Sequence, residues 1–164
     1  MLRLLILLYC CLVATSVSFA QVLHLPFDGR WFVVQGGDTP NVNNHMALKP
    51  QWFGIDFAKV GGQSNRELSL ADASRLEHHY SWGEPIFAPH EGRVLTVRKD
   101  LPDNPLGRKD IHNPAGNYLT IQIAPERFLF LAHFQCGTIT VEPGDLVRRG
   151  QFLGNCGNSG NSDF

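Results

Sequence analysis

The sequence predicts a mainly β protein made of antiparallel strands. Apolar and polar residues alternate strictly over residues 117–123, and a similar alternation covers residues 92–98, which is the pattern of strands with one buried face. The chain contains 16 Gly and 10 Pro, and both residue types favour short strands joined by many turns. Because no segment after residue 83 has the spacing of an amphipathic helix, we expect no helix longer than two turns over residues 83–158.

Length and composition fit a single packed domain. The chain has 164 residues, which is a common size for one domain. Hydrophobic residues make up 43% and charged residues 18%, so the chain can bury a core. The 14 Lys and Arg residues nearly balance the 15 Asp and Glu residues, for a formal charge of −1. This balance argues against a nucleic acid as partner.

Residues 1–20 have the pattern of a secretory signal peptide. Arg3 precedes an apolar run from Leu4 to Val13, and Ser18-Phe19-Ala20 supplies the small residues of a cleavage site. The apolar run is shorter than the roughly 20 residues that cross a bilayer, so we expect no stable membrane span. We therefore expect residues 21–164 to form the folded domain, and the protein to be secreted or periplasmic, in the cell envelope.

Further apolar segments predict the other strands. In chain order these segments are residues 31–34, 52–58, 85–89, 127–134 and 138–141. The mixed segment 61–82 predicts a surface excursion. Its His78-His79 pair is predicted to lie in a solvated loop rather than to form a metal site, because adjacent strand residues point to opposite faces.

Two parts of the chain resemble each other. Gly83-Glu84-Pro85-Ile86 followed by Gly92-Arg93-Val94 is similar to Gly144-Asp145-Leu146-Val147 followed by Gly150-Gln151-Phe152-Leu153-Gly154. Such an echo indicates either a duplicated β unit or the chance recurrence of a common turn pattern.

Asp56 and His133 are the first candidate functional residues. Asp56 lies between Ile55 and Phe57, so in a strand it faces either a polar partner in the core or solvent, and the segment taken alone favours solvent. His133 is the only ionisable residue in the apolar run Phe128–Phe134. An imidazole there is either a hydrogen-bonded core residue or an acid–base catalyst.

The C-terminal segment combines a tight loop with two cysteines. Residues 154–162 are rich in Gly and Asn, which suits a backbone with positive φ angles at the rim of a site. The segment has no Lys and is not a phosphate-binding loop, so nucleotide binding is disfavoured. Cys136 and Cys156 are the cysteines that follow residue 20, and they are either two separate thiols or, in an oxidising compartment, a disulfide.

Several of these segments, in this order, resemble the lysostaphin-type zinc endopeptidases. The similarity covers about residues 30–164 and is carried by the motifs Gly83–Pro89, Gly92-Arg93-Val94, Asn117-Tyr118, Leu131-Ala132-His133, Gly144–Gly154 and Gly157–Ser162. This resemblance implies the duplicated-hybrid-motif β fold and hydrolysis of peptide bonds in the bacterial cell wall. Single motifs also fit biotinyl or lipoyl carrier domains, but the turn at residues 157–160 lacks the Lys that such carriers need.

The resemblance also implies the residues of a zinc site. In the family, Zn²⁺ is held by the His and Asp of a His-x-Gly-x-Asp motif and by the second His of a His-x-His motif. Gly54 and Asp56 match the first motif, and His133 matches a strand histidine that assists the zinc-bound water. Trp52 occupies the position of the first ligand and cannot bind zinc. The element Asn43-Asn44-His45 resembles that of a divergent branch of the family, so His45 is either the replacement ligand or an ordinary loop residue.

The second zinc-binding motif is not found in the 164 residues. In the family, Gly-Asn-Ser-Gly-Asn-Ser runs directly into the His-x-His strand, so we expect the chain to be incomplete at its C-terminus and to bind zinc weakly. The leading hypothesis is an exported metalloendopeptidase whose substrate is a peptide or a peptidoglycan cross-link. The alternative is a catalytically inactive relative that binds the cell wall or regulates another hydrolase, and Trp52 supports that alternative.

Overall fold

The structure is a computed structural model that describes residues 21–162. The signal-peptide prediction for residues 1–20 lies outside the described residues. The described chain forms eight strands. They are β1 Trp31–Gln35, β2 Asp56–Lys59, β3 Pro85–Phe87, β4 Gly92–Arg98, β5 Asn117–Ala124, β6 Arg127–Phe134, β7 Leu146–Val147 and β8 Phe152–Asn155.

All strand pairings are antiparallel, and they divide the strands into three sheets. The largest sheet has the order β6-β5-β4-β7, and two-stranded sheets pair β1 with β2 and β3 with β8. The helical elements within residues 21–162 are three short 3-10 turns at Asn44–Ala47, Lys49–Gln51 and Leu76–His78. The prediction of a mainly β, antiparallel fold is confirmed. No helix in this part of the chain is long and apolar enough to cross a membrane.

The two similar segments pair reciprocally. In the first segment β3 precedes β4, and in the second β7 precedes β8. The first strand of each segment pairs with the second strand of the other, because β3 pairs with β8 and β4 pairs with β7. The similarity between the two segments in the sequence thus corresponds to a reciprocal pairing of two β units in the structure.

The core lies on one face of the four-stranded sheet. Alternate residues of β5 point into it, and Leu119 and Ile121 are fully buried. In β4 a bulge between Val94 and Thr96 interrupts the alternation, so the fully buried Val94 and the partly buried Val97 face the core. Phe134, Val147 and Leu153 close the core from the neighbouring strands. Thus the alternation over residues 117–123 predicted the buried face of β5 correctly.

Two predicted strands differ from the observed elements. Residues 138–141 are irregular, although Ile139 and Val141 are buried in the core, so their alternation reflects burial without continuous strand pairing. The strand predicted at 52–58 begins only at Asp56, because residues 52–54 continue a turn. The Trp52 N–H donates to Lys49 O at 3.4 Å and the Gly54 N–H donates to Gln51 O at 2.7 Å.

Residues 61–82 form an excursion that is tied back onto itself by two isolated bridges, Gly61 with Glu67 and Ser69 with His79. The solvated loop expected around His78 and His79 is not observed, because both residues are half-buried. His78 Nδ1 lies 3.6 Å from Asp72 Oδ2. The two bridges therefore hold residues 61–82 together, and both imidazoles are partly shielded from water.

Candidate functional site

His45 is positioned by a buried asparagine. Asn43 is 1% exposed and precedes the 3-10 turn Asn44–Ala47. Its Oδ1 accepts a hydrogen bond from the His45 N–H at 3.1 Å. Its Nδ2 donates to Gly37 O at 2.9 Å and to Trp52 O at 3.2 Å. One side chain thus ties the loop that carries His45 to the turn that leads into β2.

His45 and Asp56 form a close pair. His45 Nε2 lies 3.1 Å from Asp56 Oδ1, and the two side chains are 23% and 50% exposed. Asp56 is the first residue of β2, opposite Gln35 of β1. The His45 ring lies against the backbone of Gly54, since a β-carbon there would come within 3.1 Å of His45 Cδ2. Gly54 and Asp56 therefore lie next to the His45 imidazole on two sides.

The contact between His45 and Asp56 has the distance of a hydrogen bond but not its direction. His45 Nε2 is buried and makes no hydrogen bond. Two ligands of a tetrahedral Zn²⁺, each about 2.0–2.1 Å from the metal, lie about 3.3 Å apart. The observed 3.1 Å between the two atoms fits that separation, so this nitrogen and carboxylate suit a shared metal ion. Their role as ligands stays a prediction.

His133 sits in a β-bulge at the end of β6. Between the pairs Leu119–Leu131 and Asn117–Phe134, β5 advances two residues and β6 advances three. His133 takes up the extra residue with a φ angle of 64°, an unusual conformation for a residue with a side chain. A bulge re-aims side chains, so simple alternation along β6 does not give the direction of this imidazole.

The His133 ring has one fixed protonation pattern when it is neutral. Nδ1 lies 2.8 Å from the carbonyl oxygen of Ser159. Because a carbonyl only accepts hydrogen bonds, Nδ1 carries the proton and donates it. The Nε2 atom then carries the lone pair and can accept a proton.

A buried polar network supports the loop that holds His133. Asn117 and Ser159 are fully buried. The Asn117 N–H donates to Ser159 Oγ at 2.9 Å, and that hydroxyl donates to Phe134 O at 2.7 Å. Asn117 Nδ2 also donates to Leu101 O at 2.8 Å. The two polar residues thus join β5, the end of β6 and the Gly/Asn-rich loop.

Asp103 supports the same loop and was missed by the sequence reasoning. Its Oδ1 accepts a hydrogen bond from the Asn158 N–H at 2.6 Å, and its Oδ2 accepts one from the Cys136 N–H at 2.9 Å. Asn104 Nδ2 donates to Gly160 O at 2.6 Å. The only hint in the sequence was the turn-forming run Pro102–Pro105, and nothing in that run points to residues 55 and 56 positions further on.

A pocket of about 590 Å³ lies next to the His45–Asp56 pair. Met46, Trp52, Phe53 and Ile55 form its apolar lining. The Trp52 side chain belongs to this lining and is 43% exposed. The resemblance implies the first zinc ligand at position 52, where this chain therefore has a residue of the pocket lining, Trp52.

The structure brings together two of the three predicted site residues. His45 and Asp56 are adjacent, whereas His133 belongs to the four-stranded sheet. The family resemblance also implies that Asp56 and His133 face one shared groove, and this stays a prediction. Within residues 21–162, no three His, Cys, Asp or Glu side chains form a group that could hold a metal ion.

Cys136 and Cys156 are both free thiols. Cys136 is exposed, whereas Cys156 is half-buried. Burial of the Cys156 thiol, together with the nearby Glu84 and Asp103 carboxylates, raises its pKa to about 12. Cys156 is therefore a poor nucleophile at neutral pH.

Among known proteins, similarity to this chain was found in solved structures. No protein-family model matches the sequence, and no curated protein matches it. Among solved structures, the chain is similar to a zinc-containing peptidase from Vibrio cholerae, with 22% sequence identity and a TM-score of 0.49. The similarity covers 85% of this chain and 33% of that chain. The protein thus spans about a third of the length of that peptidase.

Proposed function

We propose that the protein is a zinc-dependent endopeptidase in which His45 and Asp56 are two of the metal ligands. One observation carries this proposal: His45 Nε2 is buried without a hydrogen bond and lies 3.1 Å from Asp56 Oδ1. A buried imidazole nitrogen without a hydrogen bond is costly unless something else binds it. A metal ion shared with the carboxylate would satisfy both groups.

The donor set suits zinc. Imidazole nitrogen and carboxylate oxygen are common ligands of catalytic zinc, which has three protein ligands and a water. When bound, zinc lowers the pKa of that water towards about 7 and polarises the scissile carbonyl. The resemblance implies a third ligand from a His-x-His motif, which the 164 residues do not contain.

We assign acid–base work to His133. The hydrogen bond from Nδ1 to Ser159 O at 2.8 Å orients the ring and holds the proton on Nδ1. The lone pair on Nε2 is then available to take a proton and to return it. The buried contacts of Asn117 and Ser159 keep that carbonyl in place, so both are positioning residues.

The proposed substrate is a peptide, and the proposed setting is the cell envelope. The family resemblance of the motifs between residues 83 and 162 supports a peptidoglycan cross-link as one such substrate. The signal-peptide pattern of residues 1–20 supports export. The second candidate function is a non-catalytic peptide- or wall-binding module, which Trp52 favours because it occupies the usual position of the first ligand.

Hydrolysis by the purified protein tests this proposal. Peptidoglycan and casein peptides are incubated with and without a zinc chelator, and with zinc added back. We expect the chelator to abolish cleavage and zinc to restore it. We also expect His45→Ala to abolish cleavage, and His133→Ala to lower it by about 100-fold or more.

The exposed His112 provides the matched control, since His112→Ala should leave cleavage unchanged. Cleavage that survives the chelator would contradict the proposal. A protein that binds zinc but cleaves no peptide would support the non-catalytic module instead.

A further inference from the structure

We propose that the pocket beside His45 and Asp56 binds a large apolar side chain of the peptide substrate, next to a basic residue. This inference rests on the proposed peptidase function and narrows its substrate class. The pocket adjoins the candidate metal pair through His45, because Gly54 of its lining lies against the His45 ring.

The lining exposes apolar surface that the described chain leaves uncovered. Phe53 is 95% exposed, Ile55 is 53% exposed and Trp52 is 43% exposed. Contiguous apolar surface of this kind is typical of binding sites. Covering it with an apolar side chain removes it from water, which is favourable in proportion to the area covered.

The polar side chain of Asn43, which belongs to the pocket lining, is already engaged. Both hydrogens of Asn43 Nδ2 are used, because this nitrogen donates to Gly37 O and to Trp52 O. Asn43 Oδ1 accepts from the His45 N–H at 3.1 Å. A polar ligand group therefore finds no free hydrogen-bond donor on Asn43, whereas an apolar group needs none.

The charge at the pocket favours a basic neighbour. Asp38 is the one charged residue of the described lining, and it is exposed. A Lys or Arg beside the apolar residue would meet this carboxylate. The volume of about 590 Å³ lies in the ordinary range of ligand sites, about 300–1,000 Å³, and exceeds what one side chain alone fills.

The exposed apolar lining disfavours peptides made of small and charged residues. Such a peptide would leave the exposed Phe53 surface in water. An unfolded or extended segment of a protein, with Phe, Leu or Trp beside Lys or Arg, covers it. The substrate class implied by the pocket is thus a protein segment with such a pair.

Fluorescence anisotropy tests the inference on the full chain. The probes are labelled Gly-Ser-Phe-Lys-Ser-Gly and its Ala counterpart, Gly-Ser-Ala-Lys-Ser-Gly. A chelator is present throughout, so that binding is measured without metal. We expect the Phe peptide to bind at least about tenfold more tightly than the Ala peptide.

Two substitutions localise the effect. Phe53→Ser should remove most of the preference for Phe, and it should not disturb folding, because the Phe53 side chain is almost fully exposed. Phe128→Ser is the matched control, since Phe128 is 53% exposed on β6 of a different sheet. It should leave the preference unchanged.

Three binding results would overturn the inference. They are equal binding of the two peptides, a preference that survives Phe53→Ser, and complete displacement of the Phe peptide by a peptidoglycan cross-link peptide of similar concentration. Self-association that Phe53→Ser abolishes, without peptide binding, would assign the pocket to a second copy and also overturn it. Loss of zinc binding would contradict the proposed function alone, because the anisotropy assay needs no metal.

Discussion

The imidazole of His45 lies against Gly54, where an added β-carbon would come within 3.1 Å of the ring atom Cδ2 and 3.2 Å of Cγ. Gly54 is also held by a hydrogen bond from its N–H to Gln51 O at 2.7 Å. The His45 ring thus lies between the turn that contains Gly54 and Asp56, the first residue of β2. Its approach to Asp56 depends on the absence of a side chain at position 54.

Gly54→Ala should weaken zinc binding much more than it weakens folding. The added methyl group would lie 3.0 Å from Gln51 O and 3.1 Å from His45 Cδ2, so the turn and the ring must both shift by a few tenths of an ångström. Such shifts take up most of the roughly 0.5 Å within which metal sites need their ligands placed. We expect the zinc affinity to fall several-fold in a chelator-competition titration. Gly107→Ala is the control for a loss of stability alone: its φ angle of 72° strains an added side chain, but its β-carbon would meet nothing within 4 Å, so we expect it to destabilise the fold and leave the zinc affinity unchanged. Equal zinc affinity of Gly54→Ala and the wild type would show that the ring does not depend on Gly54.

Asn43→Ala should destabilise the protein and loosen the His45 loop. Three hydrogen bonds would be lost from a residue that is 1% exposed. At about 1 kcal/mol for each bond, we expect the free energy of unfolding to fall by about 2–3 kcal/mol. Urea denaturation measures this change. Asn44→Ala, at an exposed neighbouring position, should cost much less, and similar losses for both variants would refute the role of Asn43.

Local patterns predicted most of the β elements. The alternation in β5 is strong because one of its faces is buried, so period and burial agree. In β4 a bulge after Val94 breaks the alternation of burial. The same reasoning failed at residues 138–141, where Ile139 and Val141 are buried without regular strand pairing. Alternation reports which side chains face the core, and it does not report where the backbone hydrogen bonds go.

The candidate site was predictable only through its motifs. The resemblance drew attention to His45 near Asp56, and their side chains lie 3.1 Å apart. The bulge that re-aims His133 and the contacts of Asp103 with Asn158 and Cys136 were not predictable. A bulge depends on the pairing register of two strands, and Asp103 acts on residues far along the chain.

The neutral His133 ring should be protonated on Nδ1. The Ser159 carbonyl at 2.8 Å can only accept this hydrogen bond. Nitrogen-15 spectra of the imidazole, recorded at alkaline pH where imidazole rings are neutral, distinguish the two nitrogens. We expect the protonated nitrogen to be Nδ1. Protonation on Nε2 would contradict both the hydrogen bond and the acid–base role proposed for His133.

The two cysteines should differ strongly in alkylation. Cys136 is exposed, whereas burial raises the pKa of Cys156 to about 12. In the folded protein at pH 8, iodoacetamide should therefore modify Cys136 and leave Cys156 intact, as measured by peptide mass mapping. A disulfide between them would block both residues. Rapid modification of Cys156 would contradict its burial.

The raised pKa of Cys156 also predicts a loss of stability at high pH. Between a pKa near 9 for the unfolded thiol and about 12 for the folded one, the unfolded state releases a proton that the folded state keeps. The free energy of unfolding therefore falls as pH rises through this window, by up to about 1.4 kcal/mol per pH unit from this group. Denaturation of Cys156→Ala should depend less on pH above 9, and an unchanged slope would contradict this assignment.

A zinc titration followed by NMR of the seven histidine rings tests the central claim most directly, because it reports which imidazole binds the metal even when binding is weak. The His45 signals are assigned from His45→Ala, and the exposed His112 ring is the internal control. We predict that zinc shifts the His45 ring signals in a saturable way, and that Asp56→Asn strongly reduces this response. His45 signals that stay fixed while zinc saturates other sites would show that the His45–Asp56 pair is not a metal site.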